Sequence, residues 1–462
     1  MMAKTKEGTE QKLDATLLEN GRVPEDIDIS QRSEDPALFS GKSLRKMLKW
    51  RNPFETKKPK NGRGGTIFLI LNTMIGSGIL NQPQVFADSG IIGAFLMYGI
   101  SCYAIWLGLQ LLIEVGVAHK ALGFTEVANL AFGRRGDLLV DWSIVVGNFG
   151  ALLSYMVVIS GELKVLLEGW TGESGKWYTS ELFNLPLATL FLVLPFCLQR
   201  FYGHFVLISI FSIFAISTVL VVVLFFGPTV GADDRAASGA INWFSLSGTF
   251  SSLGSALFAL SCAYAAFHAF EAMRRNTGAA WAGATTPAVV IGAGMCTSMG
   301  LAGYLSFRDY TEGDILDNFS GSGWDFMKIL LIIHLLLYIP IDFVVMRHSV
   351  CKIFGWNVDT MHIAPYLVLT AILLAFTAGC VMALYAVGVA EGDAFGYILD
   401  FTGGLTAPIL SFICPGAFYL KLMPRKDAPN WDLAFALLIF GFITIVLAPA
   451  ATIYSIVEEY SS

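Results

Sequence analysis

The chain has 462 residues, 55% of them apolar and 14% charged, with a formal net charge of −6. Soluble domains carry about 25% charged residues, so an interior this apolar cannot be covered in water by so few charges. The composition excludes an ordinary soluble protein and makes a lipid bilayer the solvent for much of the chain, with no nucleic acid expected as a partner.

Residues 1–63 read as a cytoplasmic tail, largely disordered, with few aromatics and many charges, and residues 64–462 as the transmembrane domain. The tail has no apolar stretch of the kind that opens a cleavable signal, so the first apolar span has to direct insertion. Asp14-Ala-Thr-Leu-Leu18 has the form of an acidic dileucine sorting signal. Ser43–Trp50 reads either as a short basic helix lying on the membrane, with Leu44, Met47 and Leu48 on one face, or as a solvated basic linker. From Lys42 to Arg63 the chain carries Lys42, Arg45, Lys46, Lys49, Arg51, Lys57, Lys58, Lys60 and Arg63 against the single acid Glu55. That excess of positive charge beside the first span places the N-terminus in the cytoplasm.

Apolar runs of membrane length predict an all-α integral membrane protein of about eleven spans: 66–86, 91–117, 138–163, 183–199, 205–228, 250–272, 287–307, 326–348, 363–388, 395–420 and 432–456. They are numbered here in chain order. The loops on one side carry His119, Lys120, Arg134, Arg135, Arg200, Arg274, Arg275, Arg347, Lys352, Lys421, Arg425 and Lys426. Those on the other carry Asp233, Asp234, Asp309, Glu312, Asp314, Asp317, Glu391, Asp393, Glu458 and Glu459. This alternation agrees with the orientation and puts the C-terminus outside or in a lumen. The sequon Asn318-Phe319-Ser320 falls in an outside loop, which makes Asn318 the glycosylation candidate. The seven cysteines lie inside apolar runs or, for Cys351, on the cytoplasmic side, so neither an extracellular disulfide nor a CxxC metal site is expected.

Span 1 carries Gly76-Ser77-Gly78 at its middle, with Asn81 and Pro83 a turn later. Backbone groups in hydrocarbon must be satisfied, so helix breakers are tolerated only where the backbone lines a cavity or faces protein. Transporters use such a break to turn a half-helix N-terminus toward a substrate carboxylate and loosened carbonyls toward a cation. Close helix packing is the alternative, because small residues also let helices approach. Asn72, one turn earlier, favours the break, since a carboxamide at that depth needs a partner. The matching centre of span 6, Leu260-Ser261-Cys262-Ala263-Tyr264, has no Gly or Pro, and Gly254 is a weaker candidate. One broken helix is therefore expected, not two.

Span 8 places His334, Tyr338 and Asp342 at i, i+4 and i+8 on one helical face, a candidate relay for protons. Asp342 pairing with Arg347 near the cytoplasmic surface, and His334 as a hydrogen-bonded packing residue, are the plainer readings. Glu114 and Glu162, near span ends, are expected to snorkel to water.

These motifs resemble the amino acid/auxin permease family, most closely its sodium-coupled neutral amino acid transporters. The likeness runs from Gly65 to Leu422 and rests on Asn72-Thr-Met-Ile-Gly-Ser-Gly-Ile-Leu80, Gly150-Ala-Leu-Leu-Ser-Tyr155, Gly303-Tyr-Leu-Ser-Phe307 with Gly313-Asp-Ile-Leu316, Pro340 with Arg347, and Thr406-Ala-Pro408 with Cys414-Pro-Gly416. It implies a five-plus-five inverted-repeat transporter fold with an extra C-terminal helix. It also implies alternating access and cotransport of small neutral amino acids with sodium or protons. It matches Asn72 to a cation-linked asparagine and puts the substrate carboxylate at Gly76, Ser77 and Gly78.

The substrate-binding candidates are then Thr73, Ile75, Gly76, Ser77, Gly78, Ser154, Tyr155, Ser261 and Cys262. The cation-coupling candidates are Asn72, His334, Tyr338 and Asp342. No resident cofactor is expected, and the one metal ion implied is a transported sodium at Asn72. Two positions depart from the family pattern: Tyr338 stands where a threonine of span 8 usually completes a sodium site, and Ala263 where a histidine often follows Cys262. Small side chains around the break, with no charge beside Gly76, suit a compact neutral amino acid. No Walker, G-x-S-x-G or H-E-x-x-H pattern points to an enzyme or an ATP-driven pump, and no ring of filter residues points to a channel. A non-transporting amino acid sensor built on the same pocket is the alternative, and the membrane is either the plasma membrane or an endosomal or vacuolar one.

Overall fold

The computed structural model describes residues 61–198, 205–358, 360–389, 391–426 and 428–461. The dileucine stretch, Ser43–Trp50 and Arg200 lie outside the described residues. Regular structure within them is helical apart from one isolated bridge, in which the Asn61 N–H donates to the Ala272 carbonyl at 2.6 Å and the Arg274 N–H to the Asn61 carbonyl at 2.9 Å.

Among the described residues nine helices are long and apolar enough to cross a membrane, and Glu181–Cys197 is a shorter apolar helix at the position of span 4. Span 1 is not one helix but two pieces, Arg63–Met74 and the first turns of Gln82–His119. The latter continues into span 2 through Gly90, whose φ of 74° lies in the left-handed region that glycine enters without strain. With span 1 and span 4 the count reaches the expected eleven.

Span 3, Arg134–Thr171, is 38 residues long against the expected 26-residue core. At 1.5 Å per residue this is about 57 Å, so its charged ends continue the helix beyond a ~30 Å hydrocarbon layer. It packs along span 8, Asp325–Ile353. Span 10 runs Glu391–Pro408, opens into a π-helical turn at Ile409–Ile413 and resumes at Cys414–Leu422. Pro408 and Pro415 bracket that turn, and each lacks the N–H that a regular α-helix needs.

The first half of span 6 crosses span 10 so closely that a Cβ on Gly254 would sit 1.9 Å from the Asp400 carbonyl oxygen, and one on Gly403 2.0 Å from the Gly254 carbonyl oxygen. Gly254 is thus a packing glycine. The break in span 6 lies elsewhere.

Candidate functional site

The helix Arg63–Met74 ends where Ile75 leaves helical geometry (φ −90°, ψ 86°) and Gly76 is extended (φ −112°, ψ −151°); a 3₁₀ turn then covers Ser77–Ile79. In an unbroken helix the Gly76 N–H would bond the carbonyl of Asn72, four residues back. Here it donates to Met74 at 3.2 Å. The Asn72 carbonyl accepts instead from the hydroxyl of Tyr338 at 2.6 Å. The Asn72 carboxamide oxygen is buried with no hydrogen-bond partner among the described residues. On the far side of the break Gln82 donates to the Gly78 carbonyl.

Span 6 is broken as well, which corrects the expectation of a single broken helix. Its first half, Leu253–Leu260, stops at Ser261 (φ −73°, ψ 123°), and after Cys262 (φ −144°, ψ 7°) a 3₁₀ turn at Ala263–Ala265 leads into Ala266–Glu271. Neither angle pair requires glycine, so the run Ser-Cys-Ala can turn without the residues that usually advertise a break. The two breaks are adjacent: a Cβ on Gly78 would lie 3.0 Å from the Phe258 ring and 3.3 Å from Ala259.

A cavity of about 60 Å³ opens where the breaks meet. It is lined by Thr73, Gly76 and Gly78 of span 1, Asn148 and Tyr155 of span 3, Ser261 and Tyr264 of span 6, Tyr338 and Asp342 of span 8, and Thr406 and Leu410 of span 10. Seven expected residues therefore converge on it. Asn72, Ile75, Ser77, Ser154, Cys262 and His334 are not among its lining. The hydroxyls of Ser77 and Ser154 are 2.9 Å apart and fully buried, pinning the span 1 turn to span 3.

Asp342 faces the cavity and accepts from the Tyr155 hydroxyl at 2.8 Å. It makes no ion pair among the described residues. Arg347 donates to the Cys197 carbonyl at 3.0 Å and to Thr370 Oγ1 at 2.9 Å, with its guanidinium 4.3 Å from the Tyr366 ring centre. The expected pairing of Asp342 with Arg347 is thus replaced by separate partners on separate sides of span 8. His334 is buried 5.7 Å from the Tyr338 ring, and neither of its ring nitrogens has a hydrogen-bond partner among the described residues. It is not the hydrogen-bonded packing residue of the plainer reading.

Glu162 does not snorkel. It is buried against Lys328 of span 8 at 2.7 Å. Glu114 is only part-exposed and accepts from Tyr419 at 3.0 Å and Asn430 at 3.1 Å. Lys328 also donates to the Leu316 carbonyl at 3.1 Å in the segment between spans 7 and 8. That segment lies over the span 1 bend, with Asn81 donating to Gly313 at 3.0 Å and the Ile315 N–H to Leu80 at 3.3 Å. In the same segment Asn318 Nδ2 donates to Tyr310 at 2.7 Å and its Oδ1 accepts from the Glu312 N–H at 3.0 Å, while Phe319 is buried.

A second cavity, about 170 Å³, lies beside this segment and carries Asp88, Glu312, Asp393 and Asp400. Burial and the neighbouring Asp393 charge push the Glu312 carboxyl above the usual carboxylate range. Lys328 and Asn148, polar side chains inside spans 8 and 3, carried the same signal as Asn72, but the partner of Lys328, Glu162 on span 3, could not be read from spacing. All seven cysteines are unpaired thiols, and no cluster of metal-ligating side chains occurs among the described residues.

Helices broken side by side around a central cavity define the five-plus-five inverted-repeat class of secondary transporters. The chain is similar in fold to the inward-facing structure of Mhp1, with a TM-score of 0.55, 12% identity, and 85% of this chain and 90% of that one covered. It is also similar to a manganese transporter from Eremococcus coleocola, with a TM-score of 0.51, 11% identity and 85% of both chains covered.

Within that class the chain belongs to the transmembrane amino acid transporter protein family, which matches residues 62–457. It is 26% identical over 409 residues to a putative sodium-coupled neutral amino acid transporter of Rattus norvegicus, covering 84% of this chain and 86% of that one. It is 23% identical over 406 residues to a vacuolar amino acid transporter of Saccharomyces cerevisiae, covering 84% and 82%. It is a transporter, not an enzyme.

Proposed function

We propose that this chain is a symporter that carries a compact neutral amino acid, by alternating access, on a gradient of sodium or protons, with its N-terminus in the cytoplasm and its C-terminus outside or in a lumen. The observation that carries this reading is the cavity where the span 1 and span 6 breaks meet. A half-helix N-terminus presents backbone N–H groups and the positive end of its dipole, so the turn at Gly76, Ser77 and Gly78 receives the substrate carboxylate. The extended Ser261 and the freed carbonyls around it receive the ammonium group.

Size favours a small side chain. A water needs about 10–15 Å³ of such space, so a cavity of about 60 Å³ holds roughly four to six water-sized groups, comparable to the heavy atoms of alanine or serine. Among the described residues Asp342 is the one carboxylate in the lining, and neutral substrates leave it available to the coupling cation. The relatives named for sodium-coupled and vacuolar amino acid transport support the substrate class.

The test is uptake of radiolabelled alanine, serine and tryptophan into proteoliposomes under imposed sodium and proton gradients. Concentrative uptake of the small pair is expected. Preference for tryptophan would refute the size argument, and binding without uptake or exchange would refute transport in favour of a sensor built on the same pocket.

A further inference from the structure

Breaking a helix in hydrocarbon orphans particular carbonyls, and each must then find a donor or a cation. At span 1 the orphan is the carbonyl of Asn72, because the Gly76 N–H that would serve it has turned to Met74 at 3.2 Å. It has found a donor. The Tyr338 hydroxyl reaches it from span 8 at 2.6 Å, and Tyr338 is 4% exposed. A phenol has one proton to donate, and here that proton lies on the carbonyl. Its ring is held at 6.0 Å edge-to-face against Tyr155, which donates in turn to Asp342 at 2.8 Å. A cation seated on the Asn72 carbonyl from the span 8 side would have to displace this ring.

We propose that Tyr338 determines the coupling ion: its hydroxyl takes the position a sodium ion would fill at the carbonyl freed by the span 1 break, so that transport runs on protons carried by Asp342. This rests on the transporter reading above. The titratable groups that line the cavity with Asp342 are Tyr155 from span 3, Tyr264 from span 6 and Tyr338 from its own span. The charged group next along span 8, Arg347, donates to Cys197 and Thr370. One proton binds the carboxylate on the side of higher proton activity, crosses with the neutral substrate, and leaves on the other side, so one positive charge moves per cycle.

The test uses the purified full chain in proteoliposomes. Alanine uptake by the wild type is expected to follow an imposed pH gradient equally in sodium and in potassium, and its melting temperature is expected to be the same in either salt. Tyr338→Thr, which removes the ring and leaves a short hydroxyl, is expected to gain a sodium stimulation of uptake of about threefold or more and a sodium-dependent rise in melting temperature. Wild-type uptake driven by a sodium gradient at equal pH, or stabilisation of the wild type by sodium over potassium, would overturn the proposal while leaving the transporter reading intact. Failure of uptake and of alanine exchange under every gradient would overturn both.

Discussion

Lys328 Nζ stands 2.7 Å from Glu162 Oε2, with the two side chains 2% and 1% exposed. A second donation from Lys328, to the Leu316 carbonyl at 3.1 Å, ties span 3, span 8 and the 313–319 segment at one point. Removing two charges from water costs several kcal/mol per ion, so such a pair is retained through geometry rather than through net stabilisation. The same segment bonds Leu80 and Asn81, so the pair latches it over the span 1 bend.

Breaking one side of this latch is expected to cost more than removing it. Lys328→Met or Glu162→Leu alone leaves a buried charge without its partner and should destabilise the fold by about 3–5 kcal/mol. The double variant should melt above either single one. Melting of purified protein in detergent, followed by size-exclusion recovery, reads this directly; additive losses would show that the two groups do not act as a pair.

Closure of the segment is expected to weaken as pH rises. Asp314 accepts from the Leu316 N–H at 2.9 Å through one oxygen, while the other is buried without a partner among the described residues. Burial, reinforced by the Glu162 charge, pushes its carboxyl from 3.8 up to about 7. Asp317 is raised to about 7 by burial and by Asp314. A folded-state pKa above the unfolded one means that the protonated form is favoured in the folded segment. The stability contributed is therefore full below about 3.8 and is lost as pH rises through about 7. Amide exchange of residues 311–319, corrected for intrinsic rates, should show stronger protection at about pH 5.5 than at about pH 8. Replacing both Asp314 and Asp317 by Asn should flatten the difference; an unchanged difference would assign it to other groups.

Asp342 and Tyr155 are expected to act together in uptake. Asp342→Asn keeps the size of the side chain but cannot take up a proton, and should abolish concentrative uptake. Tyr155→Phe removes the one hydrogen bond made to the carboxylate among the described residues, a loss of about 1–3 kcal/mol, and should slow initial uptake roughly tenfold or more. Initial rates normalised to reconstituted protein decide the point. Wild-type rates in Asp342→Asn would remove Asp342 from the coupling site.

The crossing of spans 6 and 10 is expected to tolerate no side chain. Gly254→Ala would put a methyl 1.9 Å from the Asp400 carbonyl oxygen, and backbone cannot yield as a flexible side chain does, so overpacking of about 1–3 kcal/mol or more is expected. Gly294→Ala, with nothing within 4 Å of its Cβ, is the matched control and should melt like the wild type. Equal melting of both variants would mean that the crossing is looser than the distances imply.

The membrane character, the span positions and the family followed from composition and from ordered motifs, because a bilayer imposes length and apolarity on each span separately. Span 3 was underestimated because its helix continues through charged residues that hydrocarbon would exclude and water accepts. The break in span 1 was legible since glycine is the residue that most visibly loosens a helix. The break in span 6 was not, because Ser261 and Cys262 adopt angles open to any residue and only the neighbouring helices select them.

What the sequence determined by itself, then, was whatever each segment owes to its own solvent and backbone: eleven apolar spans, one visible break, and the cluster Thr73, Gly76 and Gly78 at the cavity. The tertiary structure decided the partners. Tyr338 meeting the Asn72 carbonyl, Tyr155 meeting Asp342 and Lys328 meeting Glu162 each join residues more than 160 positions apart. In hydrocarbon a buried polar group is defined by what reaches it across the bundle, and one-dimensional spacing carries no record of that.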